Sequence, residues 1–512
     1  MVTLTIEGRT VVVPPGTNLI EAAKTAGVLI PHYCYHPSLP VAGVCRMCLV
    51  EVEKFPKLTP ACATTVGDGQ VVHVHSDKAR DARKGVLEFL LINHPLDCPI
   101  CDQAGECELQ DYTFAEGRKD SRYMEPKRFN PMEDFGGDVL YVPNRCILCT
   151  RCVRFMDVMA KDPVLNVSER GDRAYIGKFE GSDLTHAWAG NVVDLCPVGA
   201  LLSKDFLNRA RAWELDRAAS VCPSCSQGCN VMLETRDNVV VRIRPRANVA
   251  VNQHFACDVG RMNYRWINRR DRLEYPVVRT EQGLSAASWS EAVQRAAAAI
   301  SGAARVTMLA SPSLSNETLF LLGRIASHVG ASSVMTIERG HEAPLAGAKD
   351  LSLRAERAAN HTGAELFGFT EFAAPLDALA SGDVLIVADA AVTTVPPGVS
   401  VVVIGTLLDQ ALAAHVVAAL PICNFAEEDG TFTNLRGRVQ RFLQAKAAPA
   451  QTRPSYRVAG DLATALGAGS FPPLAADIFA SIATTVPAFT GMTYRTLGLQ
   501  GAPLPLLAET TA

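Results

Sequence analysis

The sequence predicts a multidomain chain, α+β in its first half and α/β in its second. Three observations carry this reading. At 512 residues the chain exceeds what one hydrophobic core organises, so several domains are expected. Of sixteen cysteines, fifteen fall between Cys34 and Cys257 and only Cys423 lies beyond. From about residue 285, strand-sized apolar runs alternate with helix-period segments, the pattern of a parallel sheet with crossover helices.

Composition narrows the class. Hydrophobic residues make up 48% and charged residues 20%, ordinary for a globular chain with ample core material. Net charge is −4, so no global basic field attracts nucleic acid. The short basic runs Arg242-Ile-Arg-Pro-Arg246 and Arg269-Arg-Asp-Arg272 read as solvated or interface faces. The opening MVTLTIEGRTVVVPPG alternates and turns, unlike a secretory signal. No run approaches the ~18 apolar residues of a membrane span. Without an export signal, the cysteines are expected to serve metal chemistry rather than disulfides.

Taken in order, residues 1–13 read as two strands about a Glu7-Gly8 turn, with Asn18 and Glu21 as a capping box and Gly27 ending a helix. With the cysteine-bearing loop that follows, they form a small α+β domain over 1–78. Ala79–Asn93 carries Val86, Leu87, Leu90 and Leu91 at helical spacing and stops before His94-Pro95, opening a second domain, 79–118. Residues 119–217 show little periodicity, as in a fold organised by a metal site. A fourth cysteine group and short strands occupy 218–275. The α/β region is assigned to 276–445, with strands at Val306–Ala310, Val334–Ile337, Val384–Ala388 and Val401–Ile404 and helices at Ser288–Ile300 and Glu317–Val329. The Ala/Pro-rich Ala445-KAAPAQTRP-Ser455 reads as a linker, and 446–512 as linker and tail.

Four ligand sets follow from spacing. Cys34, Cys45, Cys48 and Cys62 form C-x10-C-x2-C-x13-C, which suits a [2Fe–2S] cluster wrapped by a loop; structural zinc is the competing reading. Cys98, Cys101 and Cys107 supply three thiolates, and His94, separated from Cys98 by three residues on a turn stiffened by Pro95 and Pro99, is the expected fourth ligand. A neutral imidazole in place of a thiolate removes a negative charge and raises the potential. Cys146, Cys149 and Cys152 are joined by Cys196-Pro197. In two-cluster ferredoxins the fourth cysteine of each run completes the other cluster. Here the first run's fourth position is Met156, and the second run's other positions are Val192, Ala189 and His186. One cluster of the pair is gone and the other survives. Cys222, Cys225, Cys229 and Cys257 form C-x2-C-x3-C-x27-C, which suits a [4Fe–4S] cube, with a zinc ribbon as the alternative. Cys423 is left as a free buried thiol. Several clusters in one chain suggest one-electron transfer along a row.

This order of motifs, with Pro31-HYCYHPSLPVAGVCRMCLVEV-Glu53, Asn144-RCILCTRCVR-Phe155 and Asn191-VVDLCPVGA-Leu201, resembles the large iron–sulfur (75-kDa) subunit family of bacterial NADH:quinone oxidoreductase, respiratory complex I. The resemblance covers about residues 1–275. Arg272-LEYPVV-Arg279 and Phe425-AEEDGTFTNLRGRV-Gln440 resemble pieces of the molybdopterin-oxidoreductase fold. It implies an N-terminal 2Fe-2S ferredoxin-like β-grasp domain, 4Fe-4S domains, and a shortened molybdopterin-oxidoreductase-like α/β region. It implies one [2Fe–2S] cluster and three [4Fe–4S] clusters, with no molybdopterin expected. It also implies a relay that makes no bonds of its own, in a proton-translocating enzyme. Electrons would enter at the Cys34 set, pass to the Cys146 set, then to the His94 set, and leave toward another peripheral subunit, with the Cys222 set off the main route. The implied partners are the flavin/NADH-binding subunit, other peripheral-arm subunits and, indirectly, the membrane arm, but no nucleic acid. The implied location is peripheral, on the cytoplasmic side of the inner membrane. An electron-transfer subunit of a soluble NAD-linked hydrogenase or formate dehydrogenase is the alternative host.

Overall fold

A computed structural model describes residues 1–372 and 376–505. The chain divides into two compact units, one of residues 1–215 with 345–349 and the other of residues 216–344 with 350 onward.

The first unit begins with a hairpin, Val2–Ile6 against Arg9–Val13. Its two-residue turn has Glu7 at φ 48° and Gly8 at φ 74°, the mirror-image turn whose twist matches the strands. Leu4, Ile6, Val11 and Val13 face inward, as period-2 alternation requires. The sheet continues through Val71–His73, Leu49–Val52 and Thr59–Pro60, and the helix Leu19–Thr25 packs Leu19, Ile20, Ala22 and Ala23 into the same core. Half of the expected capping box forms. The Asn18 side chain accepts from the Glu21 amide, but the Glu21 carboxylate is taken by Lys24 and the Tyr35 hydroxyl. The second helix, Asp77–Leu91, starts at Ser76. Lys127 closes its end by donating to the carbonyls of Leu91 and Ile92. The rest of the unit is short pieces: a three-stranded sheet of Leu201–Ser203, Val139–Tyr141 and Glu133–Gly136, a hairpin of Leu165–Ser168 and Tyr175–Lys178, and the helical segments Arg151–Arg154, Phe155–Ala160 and Asn191–Leu195.

The second unit starts with an antiparallel sheet of Asp216–Val221, Asn230–Arg236 and Val239–Pro245. Its centre is an eight-stranded sheet in the order Gly283–Ala286, Val277–Thr280, Val416–Pro421, Ser400–Gly405, Val384–Ala388, Val306–Ala310, Ser332–Met335 and Thr370–Glu371. The last six strands are mutually parallel. Alternate residues serve two cores: Met308, Ile386 and Val402 one face, Leu309, Leu385 and Val401 the other. Burial on both faces explains the continuous apolar runs.

Residues 446–512 are not a linker and tail as far as they are described. Ser455–Ala465 and Ala475–Thr485 are helices whose Val458, Leu462, Ile478, Phe479 and Ile482 join the core under the sheet. Ala502–Pro503 adds a strand to Arg438–Phe442. The Ala-rich composition hid a periodic apolar stripe. Residues 506–512 lie outside the described residues.

Candidate metal centres

The first set is built by a loop between helix and sheet. Cys34 and Cys48 are buried, Cys62 sits in the turn Ala61–Ala63, and the Ala61 amide donates to the Cys48 carbonyl at 3.0 Å, tying the two ends together. The Cys34 thiol is within hydrogen-bond reach of Cys45 and Cys62, and Cys48 of Cys62. Hydrogen bonds from its neighbours hold Cys34 far below the usual thiol range, while Cys45 and Cys62 are pushed up by the same contacts and by burial. Four thiols so placed cannot all ionise without a cation among them.

In the second set, Cys101 and Cys107 are buried and Cys98 is exposed. The three thiols act on one another, and burial pushes Cys107 up to about 11. Gly199 lies against this set: a Cβ there would come 2.2 Å from the Cys101 Sγ. Arg211 donates to the Cys101 carbonyl at 2.8 Å. His94 follows the end of the second helix, and its Nδ1 is buried with no hydrogen-bond partner. Burial first, then the charges of Arg145 and Lys127, depress its imidazole to about 4, so it is neutral and able to accept. The groups acting on it are Arg145, Lys127 and Asp97, none of them a thiol of the set.

The third set combines the buried Cys149 and Cys152 with the partly buried Cys146 and Cys196. Cys146, Cys149, Cys152 and Cys196 line one apolar cavity with Tyr141, Ile176 and Leu201. Leu148 and Thr150 take left-handed backbone at φ 52° and 61°, which winds the tight C-x2-C-x2-C loop, and the Leu148 amide points at the Cys146 Sγ at 3.4 Å. Burial raises Cys146 and Cys196 to about 11, Cys149 to about 12 and Cys152 well above the usual range. Met156, Ala189 and Val192 are buried apolar side chains, as expected where a second cluster's ligands are missing.

Two arginines that motif reading missed stand among these loops. Arg151 donates to the carbonyls of Tyr35 at 2.8 Å and Leu195 at 3.2 Å and to the Glu108 carboxylate at 3.3 and 3.5 Å. Arg154 donates to the carbonyls of Cys34, Cys149 and Pro40. No local pattern shows them, because their partners lie up to 120 residues away.

The fourth set belongs to the second unit. Cys222 donates its amide to the Cys229 carbonyl at 2.8 Å, and Cys257 caps the helix Asp258–Met262 with its Sγ facing the Gly260 amide at 3.4 Å. A Cβ at Gly260 would lie 2.8 Å from the Cys222 Sγ and 3.6 Å from that of Cys257. All four thiols are buried and raised by that burial, Cys222 to about 11. Beside them a cleft opens at the carboxyl ends of Val306–Ala310 and Val384–Ala388, lined by Ser224, Trp266, Ser311, Arg357, Asp389 and Glu428 among others. Cys423 is 2% exposed, and burial with Glu427 and Glu428 nearby pushes its thiol far up. Among the described residues no three His, Cys, Asp or Glu side chains converge on the point of a single ion.

The donor chemistry fits iron–sulfur groups: four separate sets of soft ligands, a buried imidazole nitrogen without a partner, and two glycines where any Cβ would displace a sulfur.

Comparison with known proteins finds a match for each cysteine-bearing stretch and for the α/β region. Residues 1–77 match the 2Fe-2S iron–sulfur cluster binding domain. Residues 83–122 match the NADH-ubiquinone oxidoreductase-G iron–sulfur binding region. Residues 136–202 match the ferredoxin-like domain of NADH-quinone oxidoreductase subunit 3. Residues 216–269 match the molybdopterin oxidoreductase Fe4S4 domain, and 272–393 with 379–465 the molybdopterin oxidoreductase family. The G subunit of NADH-quinone oxidoreductase from Rickettsia bellii is 39% identical over 335 residues, 65% of this chain and 49% of that protein. The mitochondrial NADH-ubiquinone oxidoreductase 78 kDa subunit of Candida albicans is 40% identical over 341 residues, 65% of this chain and 47% of that protein. The chain thus spans about half the length of the curated relatives it matches. An NAD+-reducing [NiFe]-hydrogenase in the H2-reduced state matches 41% of this chain and 90% of its own at 30% identity, with a TM-score of 0.38, too low to inform the fold. In its iron–sulfur stretches, and at 39–40% identity over 65% of its length, the chain is similar to the G subunit of NADH-quinone oxidoreductase and to the mitochondrial 78 kDa subunit.

Proposed function

We propose that the chain is an electron-relay subunit of a proton-translocating NADH:quinone oxidoreductase. The observation that carries the reading is the set of four thiol groups, each in a stretch matching an iron–sulfur domain. Cys34, Cys45, Cys48 and Cys62 would hold one [2Fe–2S] cluster. His94, Cys98, Cys101 and Cys107 would hold one [4Fe–4S] cluster, Cys146, Cys149, Cys152 and Cys196 a second, and Cys222, Cys225, Cys229 and Cys257 a third. When bound, such groups accept and pass single electrons. The chain's own residues hold them, exclude water and set the field around them. For His94 the support is its neutral, unpartnered Nδ1.

A pterin-bound metal is not part of this reading. The cleft of the second unit offers the cation Arg357 against Glu338 and Asp389, a poor match for a cofactor rich in phosphate. Cys423 lines the same cleft but is 2% exposed, and burial with Glu427 and Glu428 nearby keeps its thiol protonated, which favours packing over ligation. The partners in this reading are the flavin/NADH-binding subunit and other peripheral-arm subunits, with the membrane arm reached through them. The chain would sit peripherally on the cytoplasmic side of the inner membrane, and no helix among the described residues is long and apolar enough to cross one.

The test is affinity purification from gently solubilised membranes with an assay of NADH-driven quinone reduction. Recovery of that activity with flavin-binding and membrane subunits is the expected result. Recovery in a soluble complex with hydrogenase or formate dehydrogenase activity would keep the relay and replace its host.

A further inference from the structure

Arg151 stands where the ligand loops of three sets meet. It lies between Cys149 and Cys152 in its own loop. Its guanidinium donates to the carbonyl of Tyr35, the residue after Cys34, and to that of Leu195, the residue before Cys196. It also faces the carboxylate of Glu108, the residue after Cys107. The arginine is 5% exposed. Its Nε is buried without a partner, and Glu108, at 3.3 Å and with a side chain 37% exposed, neutralises it only in part. A charge so enclosed acts over several ångströms with little screening. Arg154, one turn on, adds a second cation bonded to the carbonyls of Cys34 and Cys149.

We propose that Arg151 is a positioning residue that supplies one buried positive charge to three electron carriers together, raising the midpoint potential of the groups held by the first three sets. A fixed cation favours the more negative, reduced state of each carrier near it. One charge serving three sites shifts all three potentials in the same direction. The inference rests on the reading that these sets hold clusters.

The test is redox titration of the purified complex, followed by electron paramagnetic resonance, for wild type, Arg151→Gln, Arg151→Lys and Glu108→Gln. In Arg151→Gln the midpoints of the first three clusters fall together, and that of the Cys222 set stays as in wild type. Arg151→Lys keeps the charge but not the fork, and its midpoints stay near wild type. Glu108→Gln removes the countercharge and moves the same three midpoints upward. Unmoved midpoints in Arg151→Gln, or a shift in Arg151→Lys as large as in Arg151→Gln, would show a loop clamp and overturn the proposal. If Arg151→Gln fails to assemble, Glu108→Gln decides: an upward shift supports the shared charge and no shift overturns it. Iron and sulfide analysis of the wild type separates the two claims. Absent clusters sink the ligand reading, whereas clusters present with unmoved potentials sink only the role of Arg151.

Discussion

Arg145 turns both its Nε and its Nη2 onto one oxygen of Asp97, at 3.0 and 2.9 Å. Asp97 precedes Cys98 of the second set and Arg145 precedes Cys146 of the third, so one ion pair fastens two ligand loops 48 residues apart. Arg145 is buried and Asp97 partly exposed. Asp97→Asn leaves a buried guanidinium without its anion and is expected to cost about 1.5–3 kcal/mol. Thermal melts of the reconstituted protein, with iron loss at the second set before the others, check this.

Gly199→Ala and Gly260→Ala separate two sites. Each new methyl would displace a sulfur, that of Cys101 in one case and that of Cys222 in the other. Gly199→Ala is expected to lose the spectroscopic signal of the second set and keep the fourth. Gly260→Ala is expected to do the reverse. If both variants retain all signals, these sulfurs do not hold the clusters.

His94→Cys restores a fourth thiolate to the second set. The cluster is expected to assemble with a more negative midpoint, because a negative charge has been added, and His94→Ala to lose it. Indifference of this cluster to both changes would remove His94 from the ligand list.

The buried carboxyls Glu317 and Glu428 give the second unit a pH dependence. Burial, the largest effect at each, raises Glu317 to about 7 and Glu428 to about 8. Their hydrogen bonds to Thr431, Tyr494 and Ser455 offset this only in part. A carboxyl raised on folding keeps its proton where the unfolded chain has lost it. Its contribution is full below about pH 4.5 and is lost as pH rises through about 7 and 8. Denaturation of this unit is therefore expected to become easier between about pH 5 and 8, by on the order of a few kcal/mol. Glu428→Gln should flatten the profile.

Local chemistry was legible in the sequence and distant chemistry was not. The Glu7-Gly8 hairpin, the Asn18 cap and the parallel strands depend on neighbours a few residues away, and they form as expected. The cysteine runs 45/48, 98/101/107, 146/149/152 and 222/225/229 could be grouped from the sequence because their spacing is itself local. Arg145, Arg151 and Gly199 were invisible because what they touch lies 43 to 116 residues away or on another loop. The helices Ser455–Ala465 and Ala475–Thr485 were missed for a different reason: many alanines diluted the stripe formed by Ile478, Phe479 and Ile482.

Iron and acid-labile sulfide content of the anaerobically purified chain, with low-temperature paramagnetic resonance after reduction, tests the central claim most directly. The expected result is about fourteen iron and about fourteen sulfide per chain, one [2Fe–2S] and three [4Fe–4S] clusters. Zinc in place of iron, with no labile sulfide and no signal on reduction, would make the four sets structural ion sites and contradict the relay.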